Sequence, residues 1–149
     1  MYTEEEQSII DQAKSIVVSY QKRQPYTLTS SAATRDYLLL NSANLEHEMF
    51  STVLLDNQHQ LIENVELFRG TIDGAAVYPR EVVKLVLQHN AAAVIFSHNH
   101  PSGIPTPSEA DKRITAKLID ALNTIDVRVL DHVIVGSNQT FSFAEQGLL

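Results

Sequence analysis

The residues best placed to do chemistry are two histidines one residue apart, in the run Ser97-His98-Asn99-His100-Pro101-Ser102-Gly103. Seven residues separate His100 from Ser108, and two more separate Ser108 from Asp111. In extended backbone, side chains at i and i+2 project to one side, so both imidazoles can converge on one point. A borderline cation such as zinc accepts two imidazoles and a carboxylate at about 2.0–2.2 Å, and a catalytic site keeps a fourth position for water. Asp111 is the natural third ligand. With Ser108 as helix N-cap, Asp111 falls in the first turn, where its carboxylate can face the histidine-bearing loop. Two plainer readings stand beside this one: Ser108 and Asp111 form only a capping arrangement, or the histidines are solvated residues of a Pro/Gly loop. The full spacing favours a metal site, with one zinc per chain. The chain has no cysteine, so any metal must bind through nitrogen and oxygen. No serine sits in a G-x-S-x-G elbow and H-E-x-x-H is absent, which removes the commonest competing hydrolase signatures.

The elements that must position these residues follow from periodicity and turn chemistry. Apolar residues Ile9, Ile10, Ala13, Ile16, Val17 and Tyr20 recur at helical spacing over residues 3–23, and Thr3 with Glu6 can form a capping box. Pro25 marks a connection over 24–30, followed by a short helix over 32–41 that turns Tyr37, Leu38 and Leu40 inward. Residues 48–55 and 60–68 read as a hairpin around Asp56-Asn57. A loop over 69–77 precedes a helix from Pro79 to about 89, with Val82, Val83, Leu85, Val86 and Leu87 on its apolar face. The apolar run 91–97 predicts a strand buried on both faces and ending at the histidines. Three prolines make 101–107 a loop, and a helix over 109–123 buries Ile114, Leu118, Ile119 and Leu122. Strands over 127–135 and 139–143 close the chain around Gly136-Ser137-Asn138. The mixture predicts one α/β domain without repeats.

Composition narrows the function classes. Hydrophobic residues at 44% make the chain globular rather than disordered. No apolar run reaches the roughly 18 residues of a membrane span, and the acidic start lacks the features of a secretion signal, so a cytoplasmic protein is expected. The formal charge of −7 argues against broad nucleic-acid binding. The basic doublets Lys22-Arg23 and Lys112-Arg113 read as solvated surface, as do His47, His59 and His89, for which no partner is expected.

The spacing H-x-H-x7-S-x2-D resembles the JAMM motif of MPN-type metalloproteases, a class that includes deubiquitinating isopeptidases. Gly70-Thr71, Val77-Tyr78-Pro79-Arg80-Glu81-Val82, Asn90-Ala91-Ala92, the histidine run and Leu130-Asp131-His132 are similar to the RadC family, from about Thr29 to Phe143. The resemblance implies a cytidine-deaminase-like, MPN-type α/β sandwich with a mixed central sheet flanked by helices. It would span residues 29–149, behind an N-terminal helix and connection over 1–28. It implies zinc ligands at His98, His100 and Asp111, and a Ser108 that steadies the tetrahedral intermediate. It further implies an upstream glutamate acting as general base through the zinc-bound water. Glu48, which opens the first strand, holds the matching place; Glu46 is its rival.

The resemblance implies a peptidase or isopeptidase with a peptide or protein substrate, while the residues themselves do not distinguish a peptide, an isopeptide or another amide. Zinc lowers the pKa of its water from about 15.7 toward roughly 7, the glutamate takes the proton, and a well-placed hydroxyl contributes about 3–4 kcal/mol at the oxyanion. His132 reads either as a satisfied core residue or as a group orienting a metal ligand. Asn99 alternates away from the ligands and is expected to hold the loop. Arg80 is read as surface, with anion recognition as the alternative. The RadC resemblance also implies a second function, a DNA-repair or mobile-element accessory protein with a structural or vestigial metal. RadC-like proteins are often longer, with a helix-hairpin-helix region before this domain; some 28 residues precede it here, which puts any DNA contact attributed to that region in doubt. A scaffold module is the third reading; the retained ligands weigh against it.

Overall fold

The structure is a computed structural model that describes residues 2–23, 28, 30–42, 44–70 and 77–149, the side chains at 20–23 excepted. The expected connection over 24–30 and the loop over 69–77 lie mostly outside these residues, as do Thr29 and Thr71. Five strands, β1 (Met49–Leu55), β2 (Leu61–Arg69), β3 (Ala93–Asn99), β4 (Arg128–Val135) and β5 (Thr140–Ser142), form one sheet in the order β2-β1-β3-β4-β5. Among the described residues four helices accompany it: α1 (Glu4–Arg23), α2 (Ser31–Ser42), α3 (Pro79–Gln88) and α4 (Glu109–Asn123). β3 and β4 pair in parallel with α4 as the crossover between them, while β1–β2, β1–β3 and β4–β5 are antiparallel. This is the expected α/β architecture, a mixed sheet flanked by helices.

Local chemistry accounts for the boundaries. Asp56 accepts from the main-chain N–H of Gln58 at 2.8 Å and of Gln60 at 2.9 Å, which closes the β1–β2 hairpin. Pro79 begins α3, and Asn90 ends it in the left-handed region (φ 51°), letting the Ala91 N–H reach the Val86 carbonyl at 3.0 Å. Thr3 and Glu6 exchange main-chain to side-chain bonds at the start of α1, as a capping box requires.

The helical stripes are narrower than their sequence suggests. In α1, Ile10, Ala13 and Val17 are half-buried, but Ile9 and Ile16 are 60% and 66% exposed. The helix packs on α2 rather than on the sheet, so only a thin strip is covered. Leu87 of α3 is likewise exposed, because the sheet lies on the side of Val82, Leu85 and Val86.

One core lies between the sheet and α3 with α4, where Phe50, Leu54, Val94 and Phe96 meet Val82, Val86, Leu118 and Leu122. A second lies on the opposite face, where Val53, Leu55, Ile95, Val133 and Val135 meet Leu38 of α2. All seven residues of β3 are buried, as expected of a central strand. It runs further than the 91–97 expected: His98 pairs with Phe50 on one side and Ile134 on the other, so it belongs to the sheet. β4 carries an irregularity: Val94 pairs with Val129, but Ile95 pairs with Asp131, leaving Leu130 as an extra residue. This bulge reverses the alternation of everything after it. Val129 and His132 therefore share the α4 side, while Val133 and Val135 face α2. Among the described residues no helix is long and apolar enough to cross a membrane.

Candidate metal centre

His98, at the end of β3, and His100, one residue past it, project to the same side with ring centroids 4.9 Å apart. Asp111, held in the first turn of α4, comes to meet them. Ser108 is the N-cap: its hydroxyl accepts the Asp111 N–H at 3.1 Å, and its own N–H donates to Asp111 Oδ2 at 2.7 Å. Capping and metal ligation were alternative readings of this pair, yet the two geometries are compatible. The capped carboxylate also sets Oδ1 3.3 Å from His98 Nε2 and Oδ2 3.3 Å from His100 Nε2. The two Nε2 atoms are 3.0 Å apart. Tetrahedral zinc bonds of about 2.0–2.1 Å place neighbouring ligand atoms about 3.3 Å apart, so these three groups already stand at metal-ligand spacing. They are also the cluster, among the described residues, whose donor atoms can hold an ion together.

The proton positions make the case stronger. His100 Nδ1 lies 2.8 Å from the Ile104 carbonyl, which can only accept, so that nitrogen carries the proton and Nε2 presents a lone pair. For His98 the assignment runs through two further residues. Thr115 donates its hydroxyl proton to the Asp111 carbonyl at 2.6 Å, so the 2.6 Å contact between its oxygen and His132 must be filled by a proton on His132 Nδ1. His132 Nε2 is then an acceptor, and His98 Nδ1, 2.8 Å away, donates to it. His98 Nε2 is left with a lone pair. Two lone pairs and a carboxylate thus face one another in a largely buried space, an arrangement that could hold a cation.

Without a cation the same nitrogens compete for protons, and a ring protonated at Nε2 donates to Asp111 instead of presenting a lone pair. Burial pushes His98 below its ordinary pKa, although Asp111 pulls it upward. His132, buried completely and beside His98, is pushed down much further. His100, hydrogen-bonded by Asp111 and less buried, is raised. Burial works against the Asp111 carboxylate, but bonds from His100, His98 and the Ser108 N–H outweigh it and hold its pKa well below the usual carboxylate range.

Comparison with known proteins gives this geometry a family. A model described as the RadC-like JAB domain matches residues 28–148. The chain belongs to the RadC-like JAB domain family. It is 53% identical over 145 residues to a UPF0758 protein of Vibrio cholerae serotype O1, covering 97% of this chain and 90% of that one. It is 60% identical over 120 residues to a UPF0758 protein of Shewanella baltica strain OS155, and 60% over 122 residues to one of Shewanella denitrificans. The chain spans 53% and 54% of the length of these two Shewanella relatives.

The other residues singled out in this RadC-like JAB domain fall as follows. Glu48 is half-buried immediately before β1, and its charge acts on both His98 and His100, raising them. Glu46 is exposed. Ser108 is exposed at the site's edge; its oxygen accepts in the cap, which leaves its hydroxyl proton available to donate. His132 touches His98, not solvent. Asn99 departs from expectation: it bonds the main chain of residues 45–49 rather than the histidine loop. Arg80 is exposed with Glu81 3.9 Å away, as expected of surface. His89 departs from its surface reading by pairing with Glu63 at 2.9 Å, and His47 and His59 are half-buried.

Sequence reasoning missed three contributors. Thr115 is a hydroxyl residue four positions after Asp111 on the buried side of α4, in line with Leu118 and Leu122; a polar residue on an apolar stripe was the available signal. Phe50 stacks on His98, with centroids 6.2 Å apart and planes at 19°. Gly136 lets the β4–β5 turn approach the histidine loop, where a Cβ would lie 2.4 Å from the Gly103 carbonyl oxygen.

Proposed function

We propose that this RadC-like JAB domain is a zinc-dependent hydrolase of the peptidase or isopeptidase type, acting on an amide bond of a peptide or protein. The observation that carries the reading is the convergence of two Nε2 lone pairs and the Asp111 carboxylate, with both Nδ1 protons already committed elsewhere. Two imidazoles and a carboxylate, with no thiolate in the chain, suit zinc. Zinc bound there supplies an acidified water and a Lewis acid for the substrate carbonyl.

The remaining work falls to side chains. Glu48 accepts the proton of the attacking water and later returns it to the leaving nitrogen. Ser108 donates its hydroxyl proton toward the carbonyl oxygen as negative charge develops there. It does so from a helix N-terminus, whose free N–H groups favour the same charge. Thr115 and His132 hold His98 in the tautomer that leaves Nε2 free. The formal charge of −7, and the pairing of Lys112 with Glu109 at 3.1 Å, give nucleic-acid phosphates little to bind.

Metal analysis of the purified protein, followed by assays on peptide and isopeptide-linked amides, tests this reading. One zinc per chain is expected, lost in His98→Ala/His100→Ala. Glu48→Gln should keep zinc while slowing turnover about 10²- to 10⁴-fold. A zinc-loaded wild type that cleaves neither class of amide would overturn the proposal.

A further inference from the structure

Asn99 ends β3 between the two histidines, and strand alternation turns its side chain to the other face of the sheet. There it meets the main chain around Glu48. Its Oδ1 accepts the Met49 N–H at 2.8 Å, and its Nδ2 donates to the His47 carbonyl at 2.9 Å, with a longer contact of 3.5 Å to the Leu45 carbonyl. The first two partners belong to the peptide groups on either side of Glu48. The Glu48 carbonyl itself accepts the Gly70 N–H at 2.9 Å. The main chain bearing the carboxylate is therefore gripped on three sides.

The grip sits where the sheet stops providing one. The last β1–β3 pair at this end is Phe50 with His98, and antiparallel register would set Met49 opposite Asn99. β3 is already turning toward His100 there, whose N–H bonds the Val135 carbonyl of β4. The Asn99 side chain takes over the ladder for one more step. A primary amide suits this place because it offers one acceptor and one donor in a fixed plane, matching an N–H and a C=O two residues apart. The side chain is only 2% exposed, so water competes poorly for either bond.

We infer that Asn99 is a positioning residue that fixes Glu48 relative to the His98, His100 and Asp111 group. One strand end would then set the whole site: residues 98 and 100 carry ligands, and the residue between them holds the base. The inference rests on the reading of Glu48 as base, and it has a mechanical consequence of its own. Proton transfer needs the carboxylate within about 2.6–3.2 Å of its partner, and a misplacement of about 1 Å costs on the order of 100-fold. Glu48 lies just before regular structure, since β1 begins at Met49, and the amide holds the peptide groups on both sides of it.

The test compares wild type with Asn99→Ala and Asn99→Asp in the full chain. In metal-free Asn99→Ala the Met49 amide should exchange with solvent at least about tenfold faster, while Val94–Phe96 stay protected. Zinc affinity by chelator competition should change less than about threefold, because both ligands remain. With an amide substrate, kcat should fall roughly 100-fold at unchanged KM. Asn99→Asp, which keeps the acceptor for Met49, should recover part of the loss. The double variant Glu48→Gln/Asn99→Ala should be no slower than Glu48→Gln, because Asn99 acts only through Glu48. Additive losses, or an unchanged Met49 exchange rate, overturn the inference. If the wild type cleaves no amide, the hydrolase reading fails, and cobalt-loaded protein still decides this one. The paramagnetic shift of the Glu48 carboxyl carbon should shrink in Asn99→Ala, and an identical shift in both proteins overturns it.

Discussion

Asp111 engages His98 at both of its ring nitrogens. Its carboxylate oxygen lies 3.3 Å from Nε2, while its main-chain carbonyl anchors the opposite nitrogen through Thr115 and His132. The circuit crosses β3, β4 and α4, so one residue at a helix start couples the position of a candidate ligand to its protonation. Aromatic rings close it laterally: Phe50 stacks on His98, and Phe143 stacks on His132 at 4.8 Å.

Thr115 should therefore matter to a metal it does not touch. Thr115→Val leaves the His132 Nδ1–H buried without an acceptor, at a cost of about 1–3 kcal/mol in chemical denaturation. It should also weaken zinc binding about 10- to 100-fold, since His98 loses its fixed tautomer. Thr115→Ser keeps the hydroxyl and should bind zinc within a few-fold of wild type. Competition with a chromophoric chelator reads both, and equal affinity in Thr115→Val and wild type would refute the circuit.

Zinc should stabilise the folded chain without being needed to fold it, because an apolar core on each face of the sheet joins it to the helices through side chains alone. At about 1,000 times its Kd, the metal should add about 4 kcal/mol. Thermal denaturation with and without chelator measures the difference. His98→Ala/His100→Ala should melt at the same temperature in both conditions, and a wild type equally indifferent to chelator would contradict the site.

Acid should destabilise the metal-free protein through its buried rings. His98 and His132 have folded pKa values below the ordinary value of about 6.5. The unfolded chain then binds more protons, so stability falls as pH drops below about 6.5. His100 is raised and works oppositely: its contribution is present below about 6.5 and is lost as pH rises through its folded value. Asp111 keeps its contribution above about 3.8 and loses it only as pH falls toward its depressed value. With two rings against one, denaturation midpoints should decline from pH 7 to pH 5. A flat or rising profile over that range would show that His98 and His132 titrate normally.

Gly136→Ala should disturb the histidine loop from a distance. The new Cβ would lie 2.4 Å from the Gly103 carbonyl oxygen and 3.0 Å from Pro105 Cδ. Relieving that overlap should cost about 1–3 kcal/mol and shift the loop that carries the Ile104 carbonyl, the partner of His100 Nδ1. Zinc affinity should fall together with stability. A variant with wild-type denaturation and affinity would show that the β4–β5 turn yields freely.

Much of the site was legible because its signals are local. His98 and His100 follow from two-residue strand alternation, and Ser108 with Asp111 from helix capping, each decided by neighbours a few residues away. The α1 stripe illustrates the limit of such reading, since spacing names a face without saying what covers it. Ile9 and Ile16 have helical periodicity and remain exposed.

Residue order alone determined the helices and hairpins of the described residues, the buried central strand and the candidate ligands, because backbone preference and hydrophobic period act over one or two turns. Tertiary structure decided which distant groups serve those ligands. The bulge at Leu130 turns His132 toward His98, α4 brings Thr115 beneath it, and Asn99 reaches across the sheet to the segment bearing Glu48. Each depends on register between strands far apart in sequence, and a slip of one residue would send the same side chain to the opposite face.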